Sequence, residues 1–467
     1  MLVNTLDFWW KFALIFLALT VILAFRRSRS GRVANYFLLA VSYAMVYFYS
    51  PMMAIVLLAV TLITYGGALI VSRRGGGKLK SAVFVLLGLL PLFAFKYYNF
   101  VNENLSAAFA RIGIDTSLPG MNLAIPLGIS FFSLQAIGYF LDVSRGYIKA
   151  ERNLGDYMLF VAFFPQLASG PISKASDLLP QIKSERTFSY EQATSGLKWL
   201  LWGMFLKVIV ADRISALIHN PLHYSYYYDE VSVTASVFLY SFQIYCDFAG
   251  YSFMALGLGR LLGFELINNF ERPYFAMSVT EFWHRWHRSL SIWLKDHIYI
   301  PLGGSRCGKA RNYANIFTTF LVSGLWHGAN WTFVLWGGIH GGVQVAEKRF
   351  GLNKLQSRGL VRALRCLTTF AIVSIAWVFF AQPTAGDAID VLGHMFSSEG
   401  QAKIDLFIPL LLVAVVLIKD IGDEFNIKNL RVLHHPLPIV RWTFYSIIMA
   451  VILIFAEGGE NFIYSGF

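Results

Sequence analysis

The sequence predicts an all-α polytopic membrane protein, and three observations carry this prediction. Hydrophobic residues make up 56% of the 467 residues and charged residues only 14%, whereas about 25% charged residues are usual in soluble domains. Apolar runs of about 20 residues, the length needed to cross a bilayer core, recur along the chain. Between these runs, short basic clusters alternate with weakly charged loops, as the positive-inside rule describes.

Charge and cysteine content exclude several other classes of protein. The net charge of +12 comes from basic residues gathered between apolar segments, so the expected partner is membrane lipid and not nucleic acid. The three cysteines, Cys246, Cys307 and Cys366, are far apart and match no zinc or iron–sulfur spacing. No metal site and no disulfide framework is therefore predicted.

The first apolar run covers residues 8–25 and is followed at once by four arginines, Arg26, Arg27, Arg29 and Arg32. A cleaved signal peptide has its basic residues before the apolar run, so this order indicates a retained first span. The positive-inside rule then places the amino terminus outside.

Further apolar runs predict the remaining spans in order. They lie at about 33–50, 52–72, 82–98, 123–142, 366–382, 404–418 and 440–456. Between 156 and 345 the runs are interrupted by Pro, Gly and charged residues, which is typical of re-entrant or tilted helices around a cavity. We expect about 10–12 crossings in a single domain, 1–467, with the catalytic centre at about 240–345 and the tail 458–467 outside.

The stretch 281–328 concentrates polar residues between apolar segments. If 284–295 is helical, His284, Arg288, Ser291 and Lys295 share one face, with His287 at its edge. Charged groups at membrane depth are expensive and mark functional sites by default. This face is predicted to line a wet cavity.

His327 ends the apolar helix predicted at 316–326. A neutral imidazole at this position can accept a proton within the membrane without carrying a buried charge at rest. These residues suit acyl transfer to a hydroxyl, in which a general base takes the hydroxyl proton. The sequence has no Gly-x-Ser-x-Gly elbow, P-loop or His-Glu-x-x-His helix, so hydrolases, P-loop enzymes and zinc peptidases are not predicted.

Two long motifs resemble the membrane-bound O-acyltransferase (MBOAT) family. They are WHRSLSIWLKDHIYIPLGG at 286–304 and LVSGLWHGANWTFVLWGGIHG at 321–341. Segments at 125–146, 163–172 and 245–264 support the resemblance, which extends over nearly the whole chain. The likeness is greatest to the bacterial polysaccharide branch, typified by the membrane subunit of alginate O-acetyltransferase.

The resemblance implies an MBOAT fold with a funnel through the membrane. It places the catalytic base on His327 and the second signature histidine on His287, and it matches Asp247 to a motif acid. Ser291, Trp326 and Asn330 fall within these motifs or beside them and are expected to line or support the funnel. No bound cofactor is implied. The donor substrate is expected to be acetyl-CoA or another acyl thioester, delivered as acyl-CoA or on an acyl carrier protein.

This chain departs from the family pattern at two places. Phe253 stands where relatives often have an acid, and the chain ends in Phe-Ile-Tyr-Ser-Gly-Phe where relatives often read Phe-Ile-Tyr-Phe-Gln-Phe. The tail is therefore expected to dock a different partner. Tyr464 in this tail is a candidate acyl relay through nucleophilic catalysis.

We expect a bacterial cytoplasmic-membrane O-acetyltransferase that passes acetyl groups outward to a cell-envelope or secreted polysaccharide, together with an extracytoplasmic acyltransferase partner. Two alternatives remain. One is D-alanyl transfer from a carrier protein to teichoic acids, against which the run Ile-Pro-Leu-Gly-Gly at 300–304 argues. The other is a transporter without acyl chemistry, for which inverted repeats would be needed and are not seen.

Overall fold

The computed structural model describes residues 6–24, 30–74, 77–114, 119–121, 123–355, 357–397 and 399–455, and it confirms the all-α prediction. Those residues form twenty α-helices and no β-strand. Within the described residues, one isolated bridge pairs Tyr228 with Ala402.

The helices follow one another in chain order. They are α1 (Leu6–Ala24), α2 (Ser30–Tyr49), α3 (Pro51–Arg74), α4 (Lys78–Leu92), α5 (Tyr98–Ala110), α6 (Ile129–Ser144), α7 (Leu154–Ala162), α8 (Phe164–Leu167), α9 (Ala175–Lys183), α10 (Tyr190–Met204), α11 (Asp212–His223), α12 (Glu230–Leu261), α13 (Val279–Arg285), α14 (Arg288–Leu294), α15 (Lys309–His327), α16 (Trp331–Phe350), α17 (Gly359–Ala381), α18 (Ala385–His394), α19 (Phe407–Glu424) and α20 (Pro438–Phe455). π-Helical turns occur at Phe93–Tyr97, Phe205–Ala211 and Lys295–Tyr299.

The chain packs as two compact units. The first contains the described residues of Met1–Leu197 together with Ala255–Ile267, and the second contains Lys198–Met254 and the described residues of Asn268–Ile463. The second unit includes most of the sequence region that was predicted to hold the catalytic centre.

Five helical segments in the described part of the chain are long and apolar enough to cross a membrane: Asp7–Ala24, Pro51–Arg73, Lys78–Ala110, Gly359–Ala381 and Pro438–Phe455. They coincide with five of the predicted spans. Helices α2, α6 and α19 lie where three further spans were predicted. The total of 10–12 crossings stays a prediction.

The fourth predicted span is longer than expected. Its helix was predicted to end near residue 98, but the helical path continues through the π-turn Phe93–Tyr97 and α5 to Ala110. Pro91 lies just before the π-turn and cannot donate a helical hydrogen bond. A local π-turn keeps the helix continuous past such a defect, and α5 contains no Gly or Pro to end it.

Glycines hold α15 and α16 unusually close in the second unit. A Cβ atom added at Gly324 would lie 2.2 Å from the carbonyl oxygen of Phe333, and one added at Gly337 would lie 2.3 Å from that of Phe320. Side chains at these positions would push the two helices apart. The close approach brings the end of α15, with His327, against the side chains of α16.

Glu424, beyond the predicted span 404–418, ties three segments of the second unit together. Its carboxylate accepts hydrogen bonds from Arg272 (2.7 Å), Arg285 (2.9 and 3.1 Å) and Arg362 (2.7 Å). Burial raises the pKa of the Glu424 carboxyl, but the hydrogen bonds and charges of Arg285 and Arg272 outweigh burial and hold the pKa below its ordinary value. Because Arg285 ends α13, this cluster anchors the helix that leads into the predicted site.

Replacing Glu424 by Gln should lower the free energy of unfolding by about 1–3 kcal/mol at neutral pH, because charge-assisted hydrogen bonds are lost. A lowered carboxyl pKa contributes stability above the unfolded-state pKa of about 4.3, and this stability is lost as pH falls through the folded-state pKa. The difference between wild type and Glu424→Gln should therefore shrink on acidification.

Denaturation in detergent between pH 7 and pH 3 measures this difference. Glu265→Gln is the matched control, since Glu265 pairs with Arg260 at the surface and should change stability by less than about 1 kcal/mol. Equal effects of the two substitutions at pH 7 would contradict the anchoring role of Glu424.

Candidate active site

The predicted continuous helix 284–295 is wrong, because the chain breaks at Trp286 and His287. α13 ends at Arg285, His287 adopts a left-handed conformation (φ 43°, ψ 53°), and α14 begins at Arg288. Asn269 stabilises the break: its backbone carbonyl accepts the N–H of Arg288 and its side chain accepts the N–H of Ser289, both at 3.1 Å. Asn269 thus satisfies two amides that begin α14.

The break turns His287 into the protein interior. Its side chain is fully buried, with its ring 4.7 Å from the ring of Phe248 and 6.0 Å from that of Trp326, centroid to centroid. A left-handed conformation is costly for a residue other than Gly, at about 1–2 kcal/mol, and such strain concentrates at functional sites. The sequence predicted that His287 lies at the edge of a polar helix face, and this prediction is wrong.

His327 is the last residue of α15 and is 2% exposed. Its ring lies 4.9 Å from that of Trp326, 5.0 Å from that of Trp336 and 5.4 Å from that of Phe380, all in edge-on geometry. Trp326 therefore contacts both signature histidines. The structure thus places two of the predicted site residues, His287 and His327, against the indole ring of a third, Trp326.

A cavity of about 470 Å³ opens within the second unit, and its wall residues do not include His287, Trp326 or His327. Its walls include His284, Arg288, Ser291 and Lys295, the four residues that the sequence placed on one polar face. The four residues thus line one cavity, although two helical segments and the start of a π-turn supply them and not one helix face; that the cavity is wet and serves as a funnel stays a prediction. The remaining wall residues are Thr280, Trp283, Ile292, Leu294, Tyr299, Ile316, Thr319, Phe320, Ser323, Gln344, Lys348 and Asn353.

The cavity is basic at several points and extends to within one helical turn of His327. His284, Arg288, Lys295 and Lys348 are cationic or titratable wall residues, and Glu271 forms an ion pair with Arg288. Ser323 is fully buried and lies four residues before His327 on α15, so the two share a helix face. Trp283 in the wall packs 5.5 Å from Trp336, whose ring also contacts His327.

Asp247 is held by a lysine that the sequence did not single out. Lys207 lies 2.6 Å from Asp247 and 2.7 Å from Asp212, and all three side chains are nearly inaccessible. Gly203 and Gly250 permit this contact, because a Cβ at Gly250 would lie 2.8 Å from the carbonyl oxygen of Gly203. Asp247 precedes Phe248, which packs on His287, so the ion pair fixes a wall of the histidine site.

The other predicted residues have different positions. Asn330 caps α16 by accepting the N–H of Thr332 (3.0 Å), and its amide donates to the carbonyl of Pro383 (2.8 Å). These are the contacts of a supporting residue, and Asn330 is not among the residues that line the cavity. Tyr464 and the tail 458–467 lie outside the described residues, so the acyl-relay hypothesis stays a prediction.

Sequence reasoning missed several supporting residues. Lys207, Asn269 and Phe380 are far in sequence from the motifs they support, so no local pattern indicated them. His340 was left out of the predicted site. Its Nδ1 accepts a hydrogen bond from Nε1 of Trp283 (3.2 Å), which fixes a wall of the cavity. In the described part of the chain, no group of three or more His, Cys, Asp and Glu side chains is placed to hold a metal ion.

The left-handed turn at His287 generates a prediction that separates backbone strain from imidazole chemistry. His287→Gly should be more stable than His287→Ala by about 1 kcal/mol, because Gly adopts this conformation freely. At His340, in the middle of α16, the order should reverse, with Ala more stable than Gly by about 1 kcal/mol. Denaturation of the four variants measures both differences, and greater stability of Ala at both positions would contradict the strained turn.

Comparison with known proteins identifies the family. Residues 3–380 match the MBOAT, membrane-bound O-acyltransferase family. The chain is 36% identical to a probable alginate O-acetylase, AlgI, of Pseudomonas syringae pv. tomato over 393 residues, covering 82% of this chain and 74% of the relative. It is 30% identical to the peptidoglycan O-acetyltransferase of Helicobacter pylori over 414 residues, which cover 82% of this chain and 75% of that protein.

A teichoic acid D-alanyltransferase of Bacillus subtilis is less similar, at 24% identity over 321 residues, covering 64% of this chain and 76% of that protein. The family match covers most of the chain. The two relatives named for O-acetylation are more identical to this chain than the D-alanyltransferase is, and they align with a larger share of it. The chain therefore belongs to the membrane-bound O-acyltransferase family and is an O-acyltransferase.

Proposed function

We propose that this enzyme takes acetyl groups from cytoplasmic acetyl-CoA and passes them across the bacterial inner membrane for O-acetylation of an extracytoplasmic polysaccharide. One observation carries the proposal: a cavity with basic wall residues extends to one helical turn from a buried histidine. The acceptor class is supported by relatives named for O-acetylation of alginate and peptidoglycan.

The cavity suits a thioester donor that carries phosphate groups. Its volume of about 470 Å³ lies within the usual range for small-molecule sites. Arg288, Lys295 and Lys348 supply positive charge for the phosphates of CoA, while Trp283, Ile292 and Phe320 supply apolar walls for the pantetheine arm and the acyl group. CoA acts here as the carrier of the donor substrate, and no bound cofactor is required.

His327 is the proposed general base. Its neutral imidazole takes the proton from the acceptor hydroxyl as that oxygen forms a bond to the thioester carbonyl carbon. The carbon–sulfur bond then breaks, and the proton passes to the departing CoA thiolate to give free CoA. The products are an O-acetyl ester and CoA, and the imidazole returns to its neutral form.

His287 is proposed to stabilise the oxyanion that develops on the carbonyl oxygen, or to position the groups that do so. Its ring contacts the same indole as His327, and Asn269 and Phe248 fix its backbone and ring. The aromatic side chains around both histidines limit access of bulk water, which would otherwise hydrolyse the thioester.

An extracytoplasmic acyltransferase partner is proposed to receive the acetyl group or to deliver the polysaccharide. D-alanyl transfer from a carrier protein is the second candidate, and the similarity to a teichoic acid D-alanyltransferase supports it more weakly because less of this chain is covered. A transporter without acyl chemistry is not supported, because the chain belongs to an acyltransferase family.

Substitution of His327 by Gln should lower acetyl-CoA-dependent CoA release and acetyl transfer by about 10²–10⁴-fold, because a general base is lost. The assay uses purified protein in lipid vesicles with labelled acetyl-CoA outside and envelope polysaccharide as acceptor. His434→Gln, at an exposed position away from the site, is the matched control and should retain wild-type activity.

Retention of full activity by His327→Gln would contradict its role as base. If the wild type releases no CoA but transfers D-alanine from a loaded carrier protein, the second candidate replaces the first.

A further inference from the structure

We propose that a rigid tyrosine-bearing loop of the second unit is a binding surface for a neutral glycan chain, in contrast to a polyuronate. The surface, called the tyrosine ledge, consists of Tyr224, Tyr226 and Tyr227 in the segment 219–230. This inference rests on the proposed function, in which a polysaccharide is the acceptor, and it specifies the chemical class of that acceptor.

The inner side of this segment is fixed by the segment that follows α17. Gln382 donates a hydrogen bond to the carbonyl of Leu222 (3.0 Å), and buried Ser225 bonds through Oγ to Nδ1 of His394 (2.8 Å). The backbone bridge between Tyr228 and Ala402 adds a third connection. The segment is therefore locked in place from one side.

Gly400 makes this contact possible. A Cβ added there would lie 2.3 Å from the carbonyl carbon of Tyr227, so only glycine permits the observed approach. Further bonds join Asp229 N–H to Ala402 (3.0 Å) and Ala402 N–H to the carbonyl of Tyr227 (3.0 Å). The backbone that carries the tyrosines thus has little freedom to lose on binding, which favours affinity.

The outer side of the segment displays its aromatic rings. Tyr224, Tyr226 and Tyr227 are 50%, 53% and 59% exposed, and the rings of Tyr226 and Tyr227 lie 4.2 Å apart. His219 and His223 are also exposed and stack at 4.3 Å. Large exposed apolar groups clustered on a fixed backbone mark an interaction site more than scattered ones do.

The positive-inside rule predicts that this surface faces outward. α17 begins in the basic stretch 347–365 and ends at Ala381, so the segment after it is expected on the outer side. The tyrosine ledge is bonded to that segment and shares its side. This is the side on which an extracytoplasmic polysaccharide would be presented.

The charged residues in and around the tyrosine ledge indicate which class of ligand it can bind. The segments 219–230 and 382–405 contain one lysine, Lys403, against six acids: Asp229, Glu230, Asp387, Asp390, Glu399 and Asp405. The rest of the chain is strongly basic, since the whole carries +12. The net negative charge of these two segments repels anionic lipid headgroups and polyuronates alike.

A neutral glycan fits both the exposed aromatic rings and the net negative charge of this region. Aromatic rings stack on the apolar C–H face of a sugar ring, and tyrosine hydroxyls bond to its polar edge. Carboxylates and imidazoles accept hydrogen bonds from sugar hydroxyls, which are donors. An acidic and aromatic surface thus recognises hydroxyl-rich chains and disfavours carboxylate-rich ones.

The test measures binding of two hexasaccharides to the full chain in lipid nanodiscs, one of N-acetylglucosamine and one of mannuronate. The wild type should bind the neutral hexamer more tightly, and Tyr226→Ala/Tyr227→Ala should weaken that binding by about tenfold or more, as loss of aromatic anchors does. Tyr226→Phe/Tyr227→Phe keeps both rings and should retain most of the binding. Tyr147→Ala removes a more exposed tyrosine (69%) from the basic loop after the predicted span 123–142, which the positive-inside rule places in the cytoplasm, and should have no effect.

A second variant tests the charge argument. Asp390→Asn/Glu399→Gln removes two exposed charges but keeps side-chain oxygens that accept hydrogen bonds, so it should raise the affinity for mannuronate relative to the affinity for the neutral hexamer. Tighter binding of mannuronate by the wild type, equal loss in the Ala and Phe pairs, or binding only of an oligolysine peptide would each overturn the proposal. The last result would indicate a basic protein partner.

CoA release from acetyl-CoA is measured in the same preparations. Absence of CoA release in the wild type would reject the proposed function, whereas normal CoA release with no glycan binding would reject only the tyrosine ledge.

Discussion

The contact of one indole, Trp326, with both His287 and His327 is the interaction on which the proposed chemistry depends. Ring distances of 6.0 and 4.9 Å place the two imidazoles on the same buried aromatic group, although they are 40 residues apart in the chain. Two local features make this possible. A left-handed turn directs His287 inward, and close glycine packing between α15 and α16 sets His327 against Trp336.

The charged residues of the second unit divide into two groups with different roles. Lys207 with Asp247, and Glu424 with its arginines, are matched to partners and hold helices around the histidine site. Lys295 and Lys348 instead face the cavity. Breaking a buried pair is strongly destabilising, while removal of a cavity cation should act mainly on donor binding. The same residue types therefore serve structure in one place and, in the proposed function, substrate recognition in another.

Local sequence patterns predicted much of this arrangement. Apolar run length located most of the predicted spans. His284, Arg288, Ser291 and Lys295 do line one cavity, but the spacing argument assumed a continuous helix, and the break at His287 shows that this assumption was wrong. The resemblance to the family identified the two histidines. The break at His287 was missed because it is stabilised by Asn269, twenty residues from the amide that its side chain binds.

Contacts between residues far apart in the chain, and a π-turn within one span, could not be predicted from local sequence patterns. The pairing of Lys207 with Asp247 joins residues 40 positions apart and depends on the approach of Gly203 to Gly250. Phe380 reaches His327 from α17, well outside the predicted catalytic region. The extension of the fourth span to Ala110 passes through a π-turn, which hydrophobic periodicity does not reveal.

The central claim is that the cavity guides an acyl thioester to His327, and photocrosslinking tests it most directly. A CoA thioester with a short diazirine-bearing acyl group would be irradiated with the full chain in vesicles, and the labelled peptides would be identified by mass spectrometry. The account predicts labels on cavity residues such as Trp283, Ile292 and Phe320, removed by excess acetyl-CoA. Labels confined to helices of the first unit, or labels that acetyl-CoA does not displace, would contradict it.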